Sequence, residues 1–199
     1  MTMVMTMMTT MMKRGTRRVM ITLLLLTATI CTKAQMLAVS TDAPWLLMQT
    51  ANVAAEIVVA NKSSVVVSAM ANHKPWGKDL KLMALQPEYR YYFSGRPMHN
   101  WFVGAGAVAA SYDIAWKGKV YDGSCYGAGL TLGYVWNYKK RWNIDFHAGV
   151  GMIFYKQKEY YEFDNFDDDF SVDGAQRTNA NGNVLLPTRV GVSISYILK

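Results

Sequence analysis

From about residue 36 onward, apolar and polar positions alternate with a period of two, and no long stretch carries helical spacing. The segment Ser124 to Trp136 shows the pattern most clearly. Tyr126, Ala128, Leu130, Leu132, Tyr134 and Trp136 share one face, whereas Gly127, Gly129, Thr131, Gly133 and Val135 share the other. Side chains on a strand point alternately to opposite sides, so this strand has one apolar surface and one nearly bare surface. Similar runs, bounded by Gly, Pro and Asn, predict strands over 36–48, 51–60, 63–72, 81–93, 100–113, 123–137, 141–156 and 185–198. Pro44 interrupts the first, and the fifth is small on both faces, so its faces are not assigned.

An even number of strands, many of them long, predicts an all-β chain: an eight-stranded antiparallel up-and-down transmembrane β-barrel. Crossing a bilayer takes about 9–11 tilted residues, which these runs supply. The connections at 61–63, 94–99 and 138–140 are short, and those at 72–80, 114–122 and 157–184 are longer. Outer-membrane barrels show the same asymmetry, with the long loops outside. The short turn near Thr50 breaks it. A soluble barrel would turn its apolar face inward and cover its outside with Lys and Glu, which these strands largely lack. Tyr91, Phe93, Trp101, Tyr134, Trp136, Trp142 and Tyr196 cluster beside the short turns and the C-terminus, as an interfacial girdle does.

The N-terminus changes how the charge is read. Lys13, Arg14, Arg17 and Arg18 precede an apolar stretch, Val19 to Ile30, and Thr32-Lys33-Ala34 places small residues where a signal peptidase reads. Residues 1–34 are therefore expected to be a signal peptide, with Met12 a candidate start, and 35–199 the barrel domain in the outer membrane. Cys31 raises lipidation, but Ile30 stands where a lipobox has a small residue. Removing 1–34 takes away five of the 21 basic residues and none of the 14 acids, so +7 becomes +2. The basic balance thus belongs mostly to the leader, and no nucleic-acid role follows. Cys125 is the single cysteine left, so no internal disulfide is expected.

The polar faces carry Glu56, Glu88, Arg90, Asp145, His147 and Arg189. Placed in a lumen, these groups lose water and must pair with one another. The expected arrangement is a structural charge network, because eight strands leave room only for side chains. The alternatives are a narrow gated pore lined by the same groups and a lipid-modifying enzyme using His147 beside Asp145. No serine at suitable spacing completes a catalytic set, so no catalytic residue, cofactor or metal site is assigned. The segment 157–184 holds Glu159, Glu162, Asp164, Asp167, Asp168, Asp169 and Asp173, interleaved with Tyr160, Tyr161, Phe163, Phe166 and Phe170. Tyr160, Tyr161, Asp167, Asp168, Asp169 and Phe170 are its candidate contact residues for a surface protein or a glycan. Its run Asp164-Asn165-Phe166-Asp167-Asp168-Asp169 lacks the alternate-position ligands and turn glycine of an EF-hand loop.

Several stretches also carry a resemblance. These are Thr50-Ala-Asn-Val-Ala-Ala-Glu56, Lys74-Pro-Trp76, Leu85-Gln-Pro-Glu-Tyr-Arg-Tyr-Tyr-Phe93, Tyr126-Gly-Ala-Gly129, Lys140-Arg-Trp-Asn143 and Leu186-Pro-Thr-Arg-Val-Gly-Val-Ser193. Together they resemble the domain-of-unknown-function family 3575, whose members are expected to be outer-membrane barrels of gut-type bacteria. The stretch from Gln86 to Tyr91 is the most specific part, and Ser64-Val65-Val66-Val67 departs from the family pattern. The resemblance implies a barrel contacting outer-membrane lipid, with surface or fimbrial proteins as partners, and the 157–184 segment adds glycans to these. It implies no reaction, and the leading expectation is a non-enzymatic structural or surface-interaction protein.

Overall fold

The structure is a computed structural model that describes residues 36–77, 79–161, 171–172, 175–176 and 180–198. By contacts the chain divides into Met1–Gln35 and Met36–Lys199. The expected leader, 1–34, lies outside the described residues.

The second unit contains β1 (Leu37–Asp42), helix α1 (Ala43–Leu47), β2 (Ala51–Ala60), β3 (Ser63–His73), β4 (Leu80–Tyr92), β5 (Asn100–Trp116), β6 (Lys119–Asn137) and β7 (Trp142–Tyr161). The short strands β8 (Ser171–Val172) and β9 (Ala175–Gln176) pair with each other, and β10 (Ala180–Ile197) follows. The eight strands other than β8 and β9 form one closed barrel in the order β1-β10-β7-β6-β5-β4-β3-β2, every pair antiparallel. Each strand neighbours the next in sequence, and β1 closes the ring against β10, as short hairpin connections dictate.

Three expectations need correction. The first strand does not run over 36–48 but stops at Asp42, where α1 begins. Pro44 sits in the first helical turn, where its fixed φ and missing N–H cost nothing, whereas a ladder would lose a donor. The connection expected over 114–122 is mostly strand. β5 and β6 pair out to Trp116 opposite Lys119, leaving a turn at Lys117 and Gly118 with φ of 53° and 74°. Positive φ at both central residues matches the twist of a two-residue hairpin. Likewise β7 extends to Tyr161 and β10 starts at Ala180, so Tyr160 and Tyr161 lie on a strand and not in a loop.

The two faces segregate. Leu130, Leu132, Trp136, Trp142, Phe146, Val150, Met152 and Val190 point outward and are exposed. Glu56, Glu88, Arg90, Thr131, Asp145, His147, Arg189, Ser193 and Ser195 point inward and are buried. β5 receives its faces from register: Phe102 lies opposite Gly133, and Gly104 opposite Thr131, both inward positions of β6. A Cβ on Gly133 would collide with the Phe102 ring, so the bare face of β6 is the space that Phe102 fills. The lumen itself is divided. Towards the short turns Tyr92, Phe102, Thr131, Gly133 and Val135 are buried, whereas Val108, Ala110, Cys125, Gly127 and Ile153, further up, remain partly exposed.

Candidate functional site: the charged lumen

Arg90, on the inward face of β4, is the centre of the lower lumen. Its side chain is 2% exposed. Its Nε donates to Glu88 Oε1 at 2.9 Å, and its Nη1 donates to Asp145 Oδ2 on β7 at 2.7 Å and to Glu56 Oε2 on β2 at 3.4 Å. One guanidinium thus ties together three strands spread round the barrel. Its fork of donors permits this where an ammonium would not. The Phe102 ring covers it, with Cζ 4.4 Å from the ring centroid. Gly104 gives Glu88 its place, because a Cβ there would overlap the carboxylate.

Each carboxylate has further partners. Glu56 Oε1 accepts from the Tyr92 hydroxyl at 2.6 Å and the Ser64 hydroxyl at 2.5 Å. Glu88 Oε2 accepts from Arg189 Nη1 at 2.5 Å, and Arg189 Nη2 donates to Ser68 Oγ at 3.2 Å. Asp42 accepts from the Ser193 hydroxyl. His147 stands between two acids, with Nε2 3.7 Å from Asp42 Oδ1 and Nδ1 3.6 Å from Asp145 Oδ1. Above this layer a void of about 20 Å³ is bordered by Gln86, Glu88, Thr131, Thr188 and Arg189. That volume is about enough for one water.

The six luminal residues read from the sequence therefore gather in one layer. Removing a carboxylate or guanidinium from water costs several kcal/mol per ion, roughly, unless geometry and hydrogen bonds offset it. The dense pairing of Glu56, Glu88, Arg90 and Arg189 is that offset. Asp42, Tyr92 and Phe102 belong to the same layer and were missed. Tyr92 shares its parity with Glu88 and Arg90, which was a usable signal. Asp42 was hidden by the poor alternation around Pro44, and Phe102 by a strand whose faces looked alike.

As chemistry, the layer is a filled ionic plug. Both ring nitrogens of His147 face carboxylates, and Ser193 donates to Asp42 instead of to the imidazole. No serine–histidine hydrogen bond exists among the described residues. At the opposite rim an exposed pair and a half-buried pair tie the strand ends. Lys74 lies 2.8 Å from Asp79, and its hydrogen bond and charge hold the Asp79 carboxyl below its ordinary range. Lys119 lies 3.0 Å from Glu159, and hydrogen bonds from Lys119 and Gln157 hold the Glu159 carboxyl down likewise. Of the expected surface contacts, Tyr160 and Tyr161 end β7, whereas Asp167, Asp168, Asp169 and Phe170 lie outside the described residues.

No curated protein and no solved structure is similar enough to the chain to extend this description. The sequence itself makes a match over nearly all of the barrel: residues 19–198 match the family described as protein of unknown function (DUF3575), and the chain belongs to that family.

Proposed function

We propose that this protein is a non-enzymatic outer-membrane β-barrel with a structural or surface-interaction role, its lumen closed by the ionic plug. The observation that carries the reading is the inverted polarity of the closed sheet, with ions inside and hydrocarbon outside. On β7 the outward residues Trp142, Ile144, Phe146, Ala148, Val150, Met152 and Phe154 run without a polar interruption up to Lys156. Twelve residue steps at about 3.4 Å and a tilt of about 40° give about 31 Å of height, enough for the roughly 25 Å apolar band of such barrels. Aromatic pairs flank the lower edge: Trp101 with Tyr134 at 5.2 Å, and Trp142 with Tyr196 at 4.9 Å. Tyr126 stacks on Phe154 at 5.6 Å near the upper edge. In water so large an apolar surface would drive aggregation.

In this reading the short turns face the periplasm and the 157–184 segment faces outward, where its acids and aromatics meet a surface protein or glycan. The plug supports a closed lumen over a pore, so planar-bilayer recordings are expected to show no unit conductance. The orientation is tested in intact cells. A chain with Cys31→Ser, Cys125→Ser and Ser171→Cys is exposed to a membrane-impermeant maleimide. Labelling without lysis is expected; labelling only after lysis would put the segment on the periplasmic side or remove the barrel from the outer membrane.

A further inference from the structure

The barrel wall is not uniform in height. β5, β6 and β7 pair with one another over most of their lengths. β1 pairs with β10 only from Ala38 to Asp42, opposite Ile197 to Ser193, and with β2 only from Leu37 to Ser40. Five paired residues make four steps, about 10 Å of height at the same rise and tilt, less than half of an apolar band near 25 Å. Above Asp42 the chain leaves the sheet as α1. From Val192 up to Ala180, β10 therefore has a strand neighbour on one side alone, among the described residues. This bare edge lies level with the apolar outer face, because Pro187, Leu185 and Asn183 register with Val150, Met152 and Phe154.

We propose that the gap above α1, between β10 and the upper ends of β2 and β3, is a lateral window through which an acyl chain of a bilayer lipid enters the upper lumen; the inference rests on the membrane reading above. Backbone groups left bare in hydrocarbon are costly, and this edge has fewer of them than its length implies. Pro187 has no N–H to leave unpaired. The Thr188 carbonyl, inside the bulge between Pro187 and Arg189, accepts from Gln86 Nε2 of β4 across the lumen at 3.0 Å. Proline and a bulge on an edge are also what turns away an added strand, which argues against a second chain as the occupant.

The rim is apolar at its foot, on α1, and along β10. Leu46, Leu47 and Met48 at the end of α1 are 50%, 76% and 58% exposed, and Leu185 on β10 is 66% exposed. The start of α1 leans on β10: a Cβ added at Gly191 would lie 3.9 Å from Pro44 Cγ. Behind the rim, Val108, Ala110, Cys125, Gly127 and Ile153 offer an accessible wall of small and apolar groups. Below them Gln86, Thr131 and Arg189 form a polar floor that stops a hydrocarbon chain. The chemistry selected is a flexible alkyl chain, reached sideways from the bilayer.

The test uses the unaltered protein in phosphatidylcholine vesicles doped with phosphatidylcholine bearing a diazirine on its acyl chain. Adducts are mapped by mass spectrometry after illumination. Adducts are expected on the outward residues Leu130, Val150 and Met152, and also on the inward residues Val108, Ala110 or Cys125. Outward adducts alone would overturn the window and leave the membrane reading standing. Absence of adducts on both faces would overturn the membrane reading itself. A second chain at the edge is checked separately with Leu185→Cys in a Cys31→Ser, Cys125→Ser background. Disulfide-linked dimers forming in the membrane would assign the edge to another copy and overturn the lipid proposal.

Discussion

β6 and β1 belong to the same closed sheet and meet its demands in opposite ways. β6 is paired on both sides from Lys119 to Val135, with Leu130 and Leu132 facing out and a nearly bare face turned inward to admit Phe102. β1 has six residues, short ladders on either side, and a proline that turns the chain into α1. The tall wall is secured by backbone ladders. The seam has few of those, and what it has in addition is side-chain chemistry. Asp42 bonds Ser193 of β10 and faces His147 of β7, and the Asn52 side chain accepts from the Asp42 N–H at 2.6 Å and donates to its carbonyl at 3.1 Å. Closure of this barrel thus depends on polar side chains at the point where hydrogen-bonded strand length runs out.

The largest expected contrast is in amide exchange. Interior amides of β6 and β7 are expected to exchange only with global opening, whereas those of β10 between residues 181 and 191, which have a strand neighbour on one side alone among the described residues, exchange through local opening of that edge. Local opening energies range from near zero to the full stability of the protein, so the two sets should differ by about 5 kcal/mol or more. Equal protection of both sets would abolish the distinction between wall and seam.

Next comes the plug that ties the wall to the seam. Arg90→Leu strands Glu56 and Asp145 without a guanidinium, and losing one partner of a buried ionic group costs about 3–5 kcal/mol. The expected readout is loss of the heat-resistant folded band in detergent, or a large fall in the urea midpoint in vesicles. Glu88→Leu should cost less for Arg90, which keeps Asp145 and Glu56, but it removes the carboxylate partner of Arg189. Unchanged folding of both variants would show that the network contributes nothing to stability.

A smaller effect is expected inside the wall. Gly133→Ala pushes against the Phe102 ring, and overpacking of this kind costs about 1–3 kcal/mol. Adding Phe102→Leu should recover part of that loss, and a double-mutant cycle in urea measures the recovery. Additive losses would mean that the ring does not occupy the space left by Gly133.

The smallest effect belongs to the rim. The folded Glu159 carboxyl is held below its unfolded value, so its contribution is present above the unfolded pKa and is lost as pH falls through the folded one. Solvent screens the pair with Lys119. Glu159→Gln should therefore flatten the acid limb of the stability profile slightly and leave the neutral midpoint nearly unchanged. A fall at neutral pH comparable to that of Arg90→Leu would place the main ionic support at the rim.

Alternation was enough to read β4, β6, β7 and β10, because a strand with water or lipid on one side and packed ions on the other writes both environments into its sequence. Glu88 and Arg90 share one parity, as do Asp145 and His147, so their common face was legible before any coordinates. β5 gave no such contrast: Gly104, Ala105, Gly106 and Ala107 are small on both sides, and only register against β6 turns Phe102 inward. The lengths of β5 and β6 were underread because Lys117-Gly118 lacks the usual Asn-Gly signal. The seam was the least legible part. Asp42 serves the network from a strand that Pro44 cuts short, and the resulting gap depends on what β10 fails to pair with, which no local pattern records.

The central claim is that the apolar outer face sits in a bilayer. The most direct measurement is fractionation of cells expressing the full chain, with the membranes washed in alkaline carbonate and then in urea. The account predicts that the protein stays in the outer-membrane fraction through both washes and migrates differently in unheated and boiled samples. Release into the soluble fraction as a folded species would contradict it, and the exposed belt from Trp142 to Phe154 would then need a different partner.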